Sequence, residues 1–135
     1  MKRLLIDTNV YTAFKHGDGV VSALLARADD ILVCATVLGE LLCGFKCGSK
    51  EEQNRRDLED FLDTPRVTVV QCDEVTAEFY AGIYRQLRNA GRPLPTNDMW
   101  IAASAMQHGA AVCTLDAHFE AIHGLVRTLP VSGDQ

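Results

Sequence analysis

The sequence predicts an α/β fold, a three-layer α/β/α sandwich with a central parallel sheet. Short apolar runs of strand length recur along the chain, and segments with helical patterning separate each run from the next. Right-handed crossovers between such alternating units build a parallel sheet covered on both faces. Strands are expected at 3–7, 31–35, 67–71, 111–115 and 125–128, and helices at 9–15, 18–28, 37–46, 51–63, 74–90, 98–108 and 117–122.

Each element has a local reason. Leu4-Leu5-Ile6 is a continuous apolar run ending at Asp7, as expected of a strand buried on both faces. Ile31-Leu32-Val33-Cys34-Ala35 repeats the pattern and leads to Thr36, the expected N-cap of a helix that carries Glu40 in its first turn. The polar stretch from Lys46 to Arg56 reads as a connection followed by the start of a solvated helix. Phe79, Tyr80, Ile83, Tyr84 and Leu87 form an apolar stripe at helical spacing, suited to core or dimer packing. Pro93 and Pro95 break the chain, and Thr96 or Asn97 is the expected cap of a helix with Asp98 in its first turn. His108 and Gly109 end that helix, the imidazole at the negative end of the dipole and the glycine as left-handed stop. Ala111-Val112-Cys113-Thr114-Leu115 then leads to Asp116, mirroring Asp7.

Composition bounds the possibilities. At 135 residues and 47% hydrophobic, residues 1–130 are expected to form a single domain, followed by a frayed tail over 131–135. The start of the chain has no signal-peptide core, and no apolar stretch approaches the length of a membrane span, so a cytoplasmic protein is expected. The five cysteines include no C-x-x-C pair, and Cys34 and Cys113 fall in expected core strands, which favours reduced thiols over a zinc site. His118 and His123 are five residues apart, on different faces of a helix, and neither reads as a metal ligand. The glycine-rich phosphate and dinucleotide signatures and Gly-x-Ser-x-Gly are absent from the sequence.

Asp7, Glu40, Asp98 and Asp116 stand far apart in sequence, each where an apolar strand ends or a helix begins. Aspartate is common at helix starts for structural reasons, and that reading suits Asp98 and Asp116 individually. Glu40 is harder to explain so, because it is embedded among Leu38, Leu41 and Leu42, and Asp7 ends a strand in which an unpaired charge is costly. In an open parallel sheet the functional crevice lies beyond the strand carboxyl ends where strand order reverses, so Asp7 and Asp116 meet if their strands are neighbours.

Leu5-Ile6-Asp7-Thr8-Asn9, Thr36-Val37-Leu38-Gly39-Glu40-Leu41, Pro95-Thr96-Asn97-Asp98-Met99-Trp100-Ile101-Ala102-Ala103 and Thr114-Leu115-Asp116-Ala117-His118-Phe119 together resemble the PIN domain, specifically the VapC-type toxins of toxin–antitoxin pairs. The resemblance spans residues 3–128. It implies that Asp7, Glu40, Asp98 and Asp116 assemble the acidic, catalytic and metal-holding pocket of a Mg2+-dependent ribonuclease, with Mn2+ as a substitute. Thr8, Asn9, Asn97 and Thr114 would orient the carboxylates or bound water. The implied products carry a 5′-phosphate and a 3′-hydroxyl, the implied target is RNA, foremost transfer RNA, and the implied partners are a VapB-like antitoxin and a second copy of the chain.

The chemistry suits that quartet. Magnesium prefers oxygen ligands and is held by one or two carboxylates, so the remaining acids can act on a second ion or on water. The net charge of −5 argues against tight non-specific binding of RNA, but about four of those charges belong to the quartet. Lys46, Lys50, Arg55, Arg56, Arg85, Arg88 and Arg92 lie on two segments able to flank it. A haloacid-dehalogenase-like phosphatase would need an aspartate where Asn9 stands, and a response-regulator receiver would need one at the end of the strand Val69-Val70, where Gln71 stands. The remaining alternative is a catalytically inactive PIN-like module that binds protein or RNA.

Overall fold

Leu4, Leu5 and Ile6 have no solvent exposure, which places β1 (Arg3–Ile6) at the centre of the sheet. The computed structural model describes residues 2–128, so the tail expected over 131–135 lies outside the described residues. Five parallel strands run in the order β3-β2-β1-β4-β5, with β2 at Asp30–Cys34, β3 at Val67–Val70, β4 at Ala111–Cys113 and β5 at Arg127–Thr128. Leu5 is in register with Leu32 on one side and with Val112 on the other.

The helices are α1 (Thr8–Lys15), α2 (Gly19–Ala26), α3 (Ala35–Cys47), α4 (Glu51–Leu62), α5 (Glu74–Ala90) and α6 (Thr96–Gln107), followed by a 3-10 helix at Ala117–Ala121. The chain moves outward from β1 through β2 to β3, then returns to the other side of β1 for β4 and β5. Right-handed crossovers therefore set α1 to α4 on one face and α5 and α6 on the other, completing the expected sandwich. The layers touch beyond the strand ends, where α3 meets α6. The strand order reverses between β1 and β4, so the crevice of the fold opens there.

Local chemistry explains several boundaries. Asp73 and Thr76 form a reciprocal capping box at the start of α5, and Gly91 closes that helix at φ 66°, a left-handed conformation that glycine adopts without a Cβ penalty. His108 is the C-cap of α6, its Nδ1 lies 2.9 Å from the Ser104 carbonyl, and Gly109 follows at φ 63°. Edge strand β3 leaves Val69 38% exposed, whereas Val33 on its neighbour is buried.

Some expected boundaries shift. Thr36 is not the cap of α3: β2 passes into the helix with no intervening loop, Cys34 takes the cap position, and Glu40 falls in the second turn. Neither Thr96 nor Asn97 caps α6, because Pro95 takes that position and both residues lie inside the helix. The expected strand 111–115 ends at Cys113, the helix expected at 117–122 is the 3-10 helix, and the strand expected at 125–128 contracts to Arg127–Thr128.

Candidate active site

Asp7 follows β1 directly and is the N-cap of α1, its Oδ1 accepting the Val10 amide at 3.0 Å. Its other carboxylate oxygen accepts the Thr114 hydroxyl, and its own amide donates to the Cys113 carbonyl at 3.1 Å, extending the β1–β4 ladder. Thr114 is fully buried and also accepts the Asp116 amide at 2.9 Å. One hydroxyl thus ties Asp7 to the segment that carries Asp116. β1 and β4 are neighbours, the condition on which these two acids were expected to meet, and the acids come together although β4 ends at Cys113, before Asp116.

Asp116 caps the 3-10 helix, its Oδ1 accepting the His118 amide at 2.9 Å. The same oxygen lies 3.1 Å from His118 Nδ1. Glu40, on α3, is held across the layers: Oε1 accepts the Thr8 hydroxyl from α1, and Oε2 accepts Asn97 Nδ2 from α6 at 2.9 Å. Asp98 sits in the first turn of α6, where the helix dipole favours negative charge. Asp7, Thr8, Asn9, Glu40, Asp98, Ile101 and Asp116 line one cavity of about 270 Å³. All four acids therefore converge. Thr8, Asn97 and Thr114 bond them directly, while Asn9 lines the cavity.

Convergence has an electrostatic cost. Asp7 is only 5% exposed, and burial pushes its carboxyl above the ordinary range. The bonds from Thr114 and Val10 pull it back, and the charges of Asp116 and Glu40 push it up again. Burial also raises Asp98, with further repulsion from Asp116 and Glu40, partly countered by His118. Four carboxylates brought together in this way call for a cation.

The donor set fits one. A carboxylate oxygen from each of Asp98 and Asp116 and a ring nitrogen of His118 lie within 4.8 Å of one another, close enough to share an ion. Hard oxygens with one imidazole suit a divalent metal. Sequence reasoning passed over His118, having compared it only with His123. The usable signal was its place two residues after an aspartate that caps a tight turn. The cysteines do not compete: all five are free, with Cys34 and Cys113 buried in strands.

Comparison with known proteins places the chain in a family. The family model described as PIN domain matches residues 4–125. Ribonuclease VapC4 of Mycobacterium tuberculosis is 36% identical over 67% of this chain and 69% of its own. Ribonuclease VapC2 of Rickettsia felis is 31% identical over 82% of this chain and 84% of its own. Among solved structures, VapBC2 from Rickettsia felis bound to a promoter DNA fragment superposes with a TM-score of 0.83 at 26% identity, covering 94% of this chain and 98% of that one.

Proposed function

The chain belongs to the PIN-domain family, among its VapC-type ribonucleases, and from that premise we propose that it is a toxin of the VapC kind, a divalent-metal-dependent endoribonuclease neutralised by a VapB-like antitoxin. The observation that carries the reading is the convergence of Asp7, Glu40, Asp98 and Asp116 on one cavity at the switch point of the sheet. Mg2+ and Mn2+ are the candidate metals. Residues 1–130 act as one catalytic domain, working as a homodimer in the cytoplasm on RNA, with transfer RNA the expected target. No helix among the described residues is long and apolar enough to cross a membrane.

Each side chain has a part. Asp98 and Asp116, with His118 beside them, hold the cation. When bound, it neutralises the carboxylates, acidifies water and stabilises negative charge on the scissile phosphate. Asp7 is fixed by Val10 and Thr114, and its raised basicity suits it to take a proton from the attacking water on a carboxylate lone pair those bonds leave open. Glu40 is clamped at both oxygens and sets the cavity's negative potential while tying α3 to α6. In-line attack at phosphorus breaks the bond to O3′, which takes up a proton from solvent, leaving a 5′-phosphate and a 3′-hydroxyl.

Four of the basic residues differ in how they are engaged. Lys46 and Arg55 pair with Glu51. Arg88 and Arg92, with Tyr84 and Leu94, line a cavity of about 270 Å³ beside the start of α6, and among the described residues they make no ion pair. That corner is the better approach for an RNA phosphate chain.

The test is incubation of total cellular RNA with the purified protein and Mg2+ or Mn2+, beside EDTA and Asp7→Asn controls, with cut ends mapped. Discrete cuts ending in 5′-phosphate, lost in both controls and on addition of a VapB-like antitoxin, are expected. Absence of cutting by folded, antitoxin-free protein would favour the inactive binding module.

A further inference from the structure

The hydrogen bonds around the four acids divide them into two kinds. Glu40 has both oxygens engaged, by Thr8 and Asn97, and Asp7 has both engaged, by Val10 and Thr114. Asp98 accepts no side-chain or capping bond among the described residues, and Asp116 has Oδ2 open. An ion entering the cavity therefore meets two acids, Asp98 and Asp116, that each present an oxygen carrying no donor. The side chain that completes a trio is His118, whose ring nitrogen joins those two carboxylates within 4.8 Å.

The start of the 3-10 helix fixes that ring. Asp116 Oδ1 accepts the His118 amide at 2.9 Å and lies 3.1 Å from Nδ1, so carboxylate and imidazole are held side by side by a two-residue turn. The His118 side chain is 62% exposed, which leaves it reachable by an ion from solvent and little involved in packing.

We propose that His118 is a direct ligand of the active-site cation, giving the site two carboxylates and one imidazole and tuning it toward Mn2+ and later divalent metals over Mg2+. Imidazole nitrogen adds affinity for transition metals, whereas Mg2+ is served by carboxylates and retained water. The inference rests on the reading of this cavity as the metal site of a nuclease and specifies which metal that site selects.

Pulsed EPR of the full chain loaded with Mn2+ tests it without reference to cleavage. The wild-type protein should show modulation from a directly bound ¹⁴N, absent in His118→Gln. Titrations should show His118→Gln losing Mn2+ affinity by about tenfold or more, the range seen when one group around a metal site is removed. Its Mg2+ affinity should change much less, and its melting temperature should match wild type. Mn2+ bound to wild type with no nitrogen coupling would overturn the proposal and leave the metal site standing, as would equal losses for both ions. Failure of wild type to bind Mn2+ at all, alongside Asp98→Asn as the negative control, would overturn the metal-dependent reading itself. Because the wild-type spectrum alone decides whether nitrogen is bound, a variant that misfolds cannot obscure the answer.

Discussion

At the carboxyl ends of the strands a cavity of about 270 Å³ is lined by four carboxylates, whereas at the amino ends a cavity of about 520 Å³ is lined by Lys2, Arg3 and mainly small or apolar side chains. The sheet is the same, and the larger cavity has the poorer chemistry. Helix polarity accounts for the difference. α1 and α3 start at the carboxyl edge because each follows its strand directly, and α6 also starts near the cavity. Their amide ends favour negative charge, and Asp7 and Asp116 accept amides there. At the amino edge helices end, and cations meet their carbonyls. Arg3 Nη1 donates to His108 O at 2.8 Å, while Arg66 Nη1 donates to Leu25 O at 2.9 Å and Ala28 O at 2.6 Å. Arg3 and Arg66 are thus satisfied within the chain. The acidic edge carries raised carboxyls and open lone pairs, which require something from outside.

The largest expected effect of breaking this contrast comes from Asp7→Asn, which keeps the shape of the cap and removes its charge. Cleavage should fall by on the order of 10²–10³-fold, as when one preorganised electrostatic group is removed from an active site. The melting temperature should hold or rise, because a buried charge is relieved; a variant that unfolds would point to a purely structural Asp7. Next comes Thr114→Val, similar in volume at a fully buried position. It strips a donor from Asp7 and an acceptor from the Asp116 amide, at a cost of about 1–3 kcal/mol in denaturant unfolding and a drop in cleavage. Normal stability in this variant would show that the bonds matter less than their burial suggests.

A titration sharpens the same contrast. Asp7 and Asp98 have folded-state values raised above the ordinary aspartate value of 3.8, so between the two the folded chain holds more protons than the unfolded one. Stability is then fully present below the ordinary value and is lost as pH climbs through the raised ones. Thermal melts of metal-free protein should fall across that window, less steeply in Asp98→Asn, and added divalent metal should restore stability most at the alkaline end. A slope identical in wild type and Asp98→Asn would contradict the assignment of strain to that carboxyl. The smallest expected effect lies at the other edge. Arg3→Ala loses an exposed bond to the end of α6 and an exposed ion pair with Asp30, and should cost about 0.5–1 kcal/mol with cleavage unchanged.

Much of this contrast was legible in the sequence because it follows from strand ends. The run Leu4-Leu5-Ile6 can be satisfied only by burial, and its terminal Asp7 must then sit at an edge. The boundaries that moved were those where a local cap rule competed with tertiary demand. Thr36 and Asn97 have cap chemistry, yet β2 runs straight into α3, and Asn97 is used inside α6 to hold Glu40. Such a bond spans 57 residues, and a local pattern cannot reveal it. The place of His118 beside the acids was illegible for a related reason. Its meaning depends on the turn that sets it against Asp116 and on the helix that brings Asp98 near, and neither is a matter of spacing to another histidine.

The most direct test of the contrast between the two edges is paramagnetic broadening of backbone amides in the ¹⁵N-labelled protein during a Mn2+ titration. Amides of Asp7 to Val10, Asn97 to Met99 and Thr114 to His118 should broaden first, while those of Arg3 and of His108 to Ala111 stay sharp. Broadening that begins at the amino edge, or spreads evenly over the chain, would contradict the claim that the acidic edge is the cation site on which the chemistry depends.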